Sequence, residues 1–176
     1  MKPIHAMTQG EIGAFVQTYL REKGITVILS GGALVSIYSS NQYVSKDLGM
    51  VNAYFSKRSH IRERLQEIGF KEEGRYFKHK DSPFIIEFPP GPLSVGGEPV
   101  KEIIDLKFTT GILKAISPTD CVKDRLAAYY YWGDQQSLAQ AVLVSSAKKI
   151  DLKEIERWSK AGGEADEFIK IKNKLS

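Results

Sequence analysis

Residues 28–51, ILSGGALVSIYSSNQYVSKDLGMV, have the pattern of a strand, a glycine turn, a helix and a second strand. The apolar run 25–29 leads into residues 30–32, Ser-Gly-Gly, where two glycines let the backbone turn tightly and approach a ligand. The predicted helix begins with unpaired N–H groups that favour an anion such as phosphate. A second strand, predicted at residues 46–55, then carries Asp47 near its start.

This pattern resembles the nucleotidyltransferases of the polymerase-β-like superfamily, in particular the bacterial group related to the AbiEii-type toxins. Those proteins place a Gly-Ser or Gly-Gly turn before a strand that carries Asp-x-Asp, and a third carboxylate on a later strand. The matching residues here are Gly31, Gly32 and Asp47, with Glu87 as the third acid. The resemblance therefore implies that phosphates bind at the glycine turn and that acids lie beside it.

Two later segments, FIIEFPPGP (84–92) and SPTDCVKDRLAAYYYW (117–132), resemble the same group. The implied fold class is α+β, with a polymerase-β-like mixed sheet flanked by helices and followed by a C-terminal helical region. We expect an α/β core at residues 1–116 and a helical region at residues 117–176 that packs on it. A chain of 176 residues is long enough to bury such a core.

One position departs from the family pattern, because the residue two past Asp47 is Gly49 rather than a second Asp. Alternate residues of a strand share a face, so Asp-x-Asp sets two carboxylates roughly 7 Å apart at their Cα atoms. Two-metal phosphoryl transfer uses such acids to hold cations at the attacking and leaving oxygens. We therefore expect either weakened transfer or a catalytically inactive relative that serves as a nucleotide-binding or regulatory module.

The resemblance implies that a nucleoside triphosphate donates its nucleoside monophosphate to an unidentified hydroxyl acceptor. Asp47 and Glu87 would bind Mg²⁺ or Mn²⁺, and Lys123 would offset phosphate charge as a third catalytic residue. The residues implied in nucleotide binding are Ser30, Gly31, Gly32, Lys46, Asp124 and Arg125.

The acids outside the glycine unit leave alternatives open. Glu87 lies in a segment, residues 84–88, that is apolar on both strand faces, where a carboxylate needs a cation or several hydrogen bonds. Asp105 is a second candidate for the third acid, but its polar context fits an exposed edge position equally well. Asp124 either faces the nucleotide or pairs with a neighbouring base to settle a buried helix.

Composition bounds the class of partner. A formal charge of +4 and a pI near 9.0 are mildly basic, and the predicted helix at residues 57–68 has one basic face. Nucleic-acid binding is the less favoured reading, because no zinc-finger, RNA-recognition or KH signature is present. The resemblance adds an antitoxin-like protein as a candidate partner. No run of 18 apolar residues occurs, so we expect a cytoplasmic protein without a membrane span.

Capping patterns predict the helices outside the glycine unit. Thr8 has capping-box spacing to Glu11, and Ser117 followed by Pro begins a helix that runs to residue 132. We predict a turn at residues 80–83 between two short strands and no regular structure at residues 89–99. The two tryptophans, at positions 132 and 158, are expected in the core, and the single cysteine, at position 121, is expected to be a buried thiol.

Overall fold

A mixed sheet of seven strands forms the centre of the molecule in a computed structural model that describes residues 2–176. The strands of this sheet, together with two strands outside it, are β1 (Val27–Ser30), β2 (Asp47–Asn52), β3 (Lys71–Glu73), β4 (Tyr76–Lys78), β5 (Ile85–Glu87), β6 (Ser94–Val95), β7 (Glu98–Pro99), β8 (Ile103–Phe108) and β9 (Gly111–Ile116). The sheet order is β3-β4-β5-β2-β1-β9-β8, and β6 and β7 form a separate hairpin. β2 runs antiparallel to β1 and parallel to β5.

Seven α-helices surround the sheet within residues 2–176. They are α1 (Gln9–Glu22), α2 (Gly32–Tyr38), α3 (Arg58–Glu67), α4 (Pro118–Trp132), α5 (Gln135–Ala147), α6 (Leu152–Ala161) and α7 (Ala165–Ile171), with short 3-10 turns at Ile4–Ala6 and Lys172–Lys174. The predicted α+β class is confirmed. None of the helices in this part of the chain is long and apolar enough to span a membrane.

The pleat of β2 separates a fully buried face from one that is open at Asp47 and Gly49 and becomes buried at Val51. The part of the sheet around Asp47 and Gly49 is called the open face. Leu48 and Met50 are fully buried, whereas Asp47 is exposed and Gly49 is partly exposed. α1 covers the buried face, where Gly13 lets the helix approach Leu113 of β9 and Leu48 closely. The alternation of apolar and polar residues along β2 therefore decides which side of the sheet can meet a ligand.

The start of α1 is fixed as its capping box predicts. The Thr8 hydroxyl accepts a hydrogen bond from the Glu11 amide, and the Glu11 carboxylate accepts one from the Thr8 amide. Lys2 and Thr109 also donate to that carboxylate. These hydrogen bonds, that of Lys2 first, lower the pKa of Glu11 to about 2. Glu11 thus ties the N-terminal segment to the turn between β8 and β9.

A charge network joins the helices after Ser117 to the β6–β7 hairpin. Lys123 of α4, with 5% of its side chain exposed, pairs with Glu154 of α6 at 2.8 Å and with Asp120 at 3.3 Å. Glu154 also binds Arg157 at 2.7 Å, and Arg157 reaches Glu98 of β7 at 2.6 Å. The buried ammonium of Lys123 is therefore neutralised by carboxylates of two helices.

Two predictions about the C-terminal half are wrong. Residues 89–99 contain the β6–β7 hairpin, which is held because the Trp158 indole N–H donates to the Val95 carbonyl at 3.2 Å. Trp158 is buried as expected, but Trp132 is 84% exposed. Trp132 is the last residue of α4, and Gly133 turns the chain there in the left-handed region, so the helix end projects beyond the core.

We expect Glu154→Gln to lower the free energy of unfolding by about 2 to 3 kcal/mol, because it leaves the buried Lys123 ammonium with Asp120 alone. Glu156→Gln on the same helix is the matched control, since Glu156 pairs only with the exposed Lys160 and Lys172. That control should cost about 0.5 kcal/mol or less. Urea denaturation of the two variants measures both values, and equal costs would contradict a structural role for the buried pair.

The effect of Glu154→Gln should also depend on pH. Hydrogen bonds from Arg157 and Lys123 hold the pKa of Glu154 far below its ordinary value of 4.5. A depressed folded-state pKa contributes stability above the unfolded value, and this contribution is lost as the pH falls below it. The difference in unfolding free energy between wild type and Glu154→Gln should therefore shrink between pH 5 and pH 3, which denaturation at several pH values would show.

Candidate functional site

Strand register places three site positions side by side on the open face of the sheet. Ser30 of β1 lies opposite Gly49 of β2, and Gly49 lies opposite Glu87 of β5. Asp47 precedes Gly49 by two residues and shares its face, on the opposite side from the buried Leu48. From strand spacing and rise, the Cα atoms of Asp47 and Glu87 lie roughly 8 Å apart. The longer glutamate side chain can converge on the aspartate across this gap.

The loop before β2 is held so that Asp47 enters the strand at a fixed point. The Ser36 hydroxyl of α2 accepts a hydrogen bond from the Ser45 amide at 2.9 Å, and Gln9 of α1 donates to the Ser45 carbonyl. The Ser45 hydroxyl in turn accepts from the Asp47 amide at 3.3 Å. Two helices therefore position the first carboxylate of the site.

The glycine turn needs glycine at one of its two positions. Gly31, at the N-terminus of α2, has φ 75°, which is in the left-handed region, and no atom lies within 4 Å of the place that a Cβ would take. A Cβ on Gly32 would lie 3.3 Å from the Ser45 hydroxyl oxygen. The turn is thus tight at Gly32 and open at Gly31. α2 itself has only seven residues, so backbone proximity rather than a long helix dipole would favour an anion here.

An arginine that the sequence analysis missed lies beside the acids. The Arg75 guanidinium Nε is 3.4 Å from Glu87 Oε1, and its Nη2 donates to the Tyr76 hydroxyl at 2.6 Å. The Tyr76 hydroxyl and the carboxylates of Glu87 and Asp47 together raise the pKa of Arg75. The acid pair of Asp47 and Glu87 therefore already has one cationic neighbour.

The sequence predicted the strand pairing around Glu87 but not the place of Arg75. The turn predicted at residues 80–83 has its centre between residues 81 and 82, and strands paired symmetrically about that centre place Tyr76 opposite Glu87. This is the observed register of β4 and β5. The same rule would turn the side chain of residue 75 to the other face, because neighbouring residues of a strand point to opposite sides. Arg75 reaches Glu87 because it lies in the turn between β3 and β4 rather than in a strand.

Solved structures with low sequence identity share this arrangement of strands and helices. An antigenic nucleotidyltransferase-like protein from Paracoccidioides brasiliensis superposes with a TM-score of 0.67 at 11% identity, over 99% of this chain and 94% of that one. The chain has a nucleotidyltransferase fold. The solution structure of the antibiotic-resistance factor ANT(2'')-Ia matches with a TM-score of 0.55 at 10% identity, over 92% of this chain and 94% of that one.

A crystal structure of ANT(2'')-Ia in complex with adenylyl-2''-tobramycin matches with a TM-score of 0.54 at 10% identity, over 84% of this chain and 92% of that one. No protein-family model and no curated protein matches the sequence. At these identities the likeness is one of fold, and the chemistry has to be argued from the residues that this chain places on the nucleotidyltransferase sheet.

The acids that the fold brings together suit one magnesium ion rather than two. Within residues 2–176, no group of three or more His, Cys, Asp or Glu side chains is placed to hold a metal ion. Mg²⁺, however, commonly binds through one or two carboxylates and completes its shell with water and substrate phosphates, which Asp47 and Glu87 can satisfy. A Cβ at position 49 would have room, because the nearest atom to it is the Ser30 carbonyl oxygen, at 3.7 Å.

The other charged residues named from the sequence differ in whether their charges are already paired. Lys123 is enclosed by its carboxylate partners, and Asp124 pairs with Arg125, whose guanidinium also donates to Gln140 of α5 at 3.3 Å. Lys46 is exposed just before β2. Of these four, only Lys46 adjoins the acid pair in sequence and presents an exposed side chain.

Asp105 and Cys121 are both explained without the site. Asp105 lies on the edge strand β8, which is three strands, or roughly 14 Å, away from β2 in the sheet. It pairs there with Lys114 at 2.8 Å. Glu87 is on the strand next to β2 and is the better placed of the two candidates for the third acid. Cys121 is fully buried, and burial raises the pKa of its thiol.

We expect Gly31→Ala to lower the free energy of unfolding by about 1 to 2 kcal/mol, because an alanine is strained at this positive φ. Gly49→Ala is the matched control, since its backbone is ordinary strand and its Cβ has room, and it should change stability by about 0.5 kcal/mol or less. Thermal or urea denaturation measures both variants. A Gly31→Ala protein as stable as wild type would show that the turn does not require glycine.

Proposed function

We propose that the protein binds a nucleoside triphosphate on the open face of its sheet and slowly transfers the nucleoside monophosphate to a hydroxyl acceptor. The observation that carries this proposal is the in-register row of Ser30, Gly49 and Glu87, with Asp47 on the same face. The row sets two carboxylates beside a glycine turn whose backbone is open to a phosphate. The nucleotidyltransferase fold of the chain supports the proposal.

Each part of the site would have a distinct task. The backbone at Gly31 and Gly32 would contact the triphosphate, and Asp47 and Glu87 would hold one Mg²⁺ or Mn²⁺. When bound, such an ion neutralises phosphate charge and polarises the phosphorus that is attacked. The acceptor oxygen forms a bond to the α-phosphorus, the bond to pyrophosphate breaks, and one of the two carboxylates takes the acceptor proton.

Lys123 has no direct part in this proposal. Its ammonium is already paired with Glu154 and Asp120 and is almost fully buried, so moving it to a phosphate would break two ion pairs. Lys46, which is exposed at the start of β2, is the better placed lysine for a phosphate contact. Asp124 and Arg125 remain candidates for contacts with the nucleotide at the helical side.

A second candidate function is a catalytically silent nucleotide-binding or regulatory module. Two observations favour it. Gly49 stands where a metal-binding acid is expected, and Arg75 already neutralises part of the negative charge of Glu87 that a metal ion would neutralise. Losing a catalytic electrostatic group commonly lowers the rate by about 10²- to 10³-fold. The two candidates differ in rate and not in where the nucleotide binds.

The narrower placement, in the bacterial group related to AbiEii-type toxins, is also a proposal and rests on the segments 84–92 and 117–132. It would bring an antitoxin-like protein as partner. Nucleic acid is a weaker candidate, because Arg58 and Arg62 on the basic face of α3 pair with Glu72. Purification of the tagged protein from its native host tests the partner, and a stoichiometric, salt-stable companion is the supporting result.

We expect Gly49→Asp to raise the rate of pyrophosphate release from the preferred triphosphate by about 10²-fold or more, since it supplies the missing carboxylate at a position where a Cβ has room. Release is measured by a coupled assay with each of the four triphosphates and Mg²⁺, in which water takes the place of the acceptor hydroxyl and the nucleoside monophosphate is the second product.

Gly49→Asn is the matched control for this experiment, because it adds the same volume without the charge, and it should leave the rate at the wild-type level. Asp47→Asn in the Gly49→Asp background should return the rate to that level as well. A Gly49→Asp protein that folds, as judged by its unfolding curve, and yet shows no gain would contradict the proposed site.

A further inference from the structure

The backbone of the β3–β4 turn is held firmly beside the acid pair. Arg58 of α3 donates to the Glu72 carboxylate at 2.7 Å and to the Arg75 carbonyl at 3.1 Å, and it lies 3.4 Å from the Gly74 carbonyl. The Arg58 guanidinium also lies over the Phe77 ring, 5.1 Å from its centroid. The base of the Arg75 side chain is therefore fixed relative to β5, on which Glu87 stands.

The Arg75 side chain, in contrast, is exposed and free to change partners. It lies over the Tyr76 ring, 4.9 Å from its centroid, and reaches Glu87 with 70% of its surface in contact with solvent. An ion pair this exposed is weak, because water screens it and the long side chain loses freedom on forming it. Arg75 thus has a fixed anchor and an exchangeable head group.

The charge of the acid pair explains why a cation stands there. Asp47 and Glu87 lie on the same face of neighbouring strands, and Tyr76, opposite Glu87, supplies only a neutral hydroxyl. Gly49 contributes no charge and leaves space above the sheet where a side chain would begin. Among the residues that the structure describes, Arg75 is the one cation paired with either acid.

We propose that Arg75 is the resident counter-ion of the acid pair and that a divalent cation must displace it from Glu87 in order to bind. The guanidinium and the metal ion compete for the same carboxylate oxygens and repel one another. Metal alone should therefore bind weakly, and a triphosphate that brings its own metal would give the displaced guanidinium a new partner. The inference rests on the acid pair of the proposed function, although its first test needs no nucleotide.

The test is a titration of the folded protein with Mn²⁺ alone, in which free Mn²⁺ is measured by electron paramagnetic resonance at low ionic strength. We expect Arg75→Gln to bind Mn²⁺ about 3- to 10-fold more tightly than wild type, because one competing and repelling charge is gone. Arg75→Lys, which keeps the charge, should stay near the wild-type affinity.

Arg62→Gln is the matched control, since Arg62 is an exposed arginine paired with a carboxylate at the same distance of 3.4 Å, but on α3. It should leave the Mn²⁺ affinity unchanged, and Glu87→Gln should abolish the gain given by Arg75→Gln. Equal or weaker binding by Arg75→Gln than by wild type, or no binding by either, overturns the inference.

A second titration, with Mg²⁺ and the triphosphates, separates this inference from the proposed function. There Arg75→Gln should bind the nucleotide about 10-fold more weakly than wild type, because the phosphate partner is lost. A gain for Mn²⁺ alone without any nucleotide binding by wild type would uphold the counter-ion role and reject the proposed function. Nucleotide binding with no change in Mn²⁺ affinity would do the reverse.

Discussion

The pleat of β2 is the constraint on which the site depends. Leu48 and Met50 are fully buried against the helices, so Asp47 and Gly49 have to face the open side of the sheet. A slip of one residue in the pairing of β2 would bury Asp47 and expose Leu48, which burial of apolar area strongly opposes. The hydrophobic core therefore fixes not only the fold but also the position of the acid pair beside the glycine turn.

The ion pairs of Lys123 and Arg75 differ in burial, and burial decides what each cation can do. The Lys123 ammonium is enclosed with Glu154 and Asp120, so it holds α4 and α6 together and cannot be recruited without a large cost. The Arg75 guanidinium meets Glu87 in solvent, where the pair is weak and exchangeable. A cation paired with a glutamate thus links two helices where the pair is buried, and it is a replaceable counter-ion where the pair is exposed.

Local patterns predicted much of this structure, and long-range pairing accounts for what they missed. The cap at Thr8, the start at Ser117 and the glycine turn are confirmed because each depends on residues a few positions apart. The closer partner of Lys123, Glu154, is 31 residues away on another helix, and no local pattern reveals it. Arg75 was overlooked because it lies in the β3–β4 turn, outside the strand pairing that sets Tyr76 opposite Glu87. Trp132 was misplaced because the end of α4 extends past the core.

The open face between the glycine turn and the acid pair should bind a nucleotide together with a divalent cation. We would titrate the four nucleoside triphosphates with Mg²⁺ into the wild-type protein by isothermal calorimetry, with Asp47→Asn beside it. We expect heat of binding for at least one triphosphate, and this heat should disappear when Mg²⁺ is chelated or Asp47 is replaced. No binding of any triphosphate by the wild-type protein, or binding that is indifferent to Asp47, would contradict it.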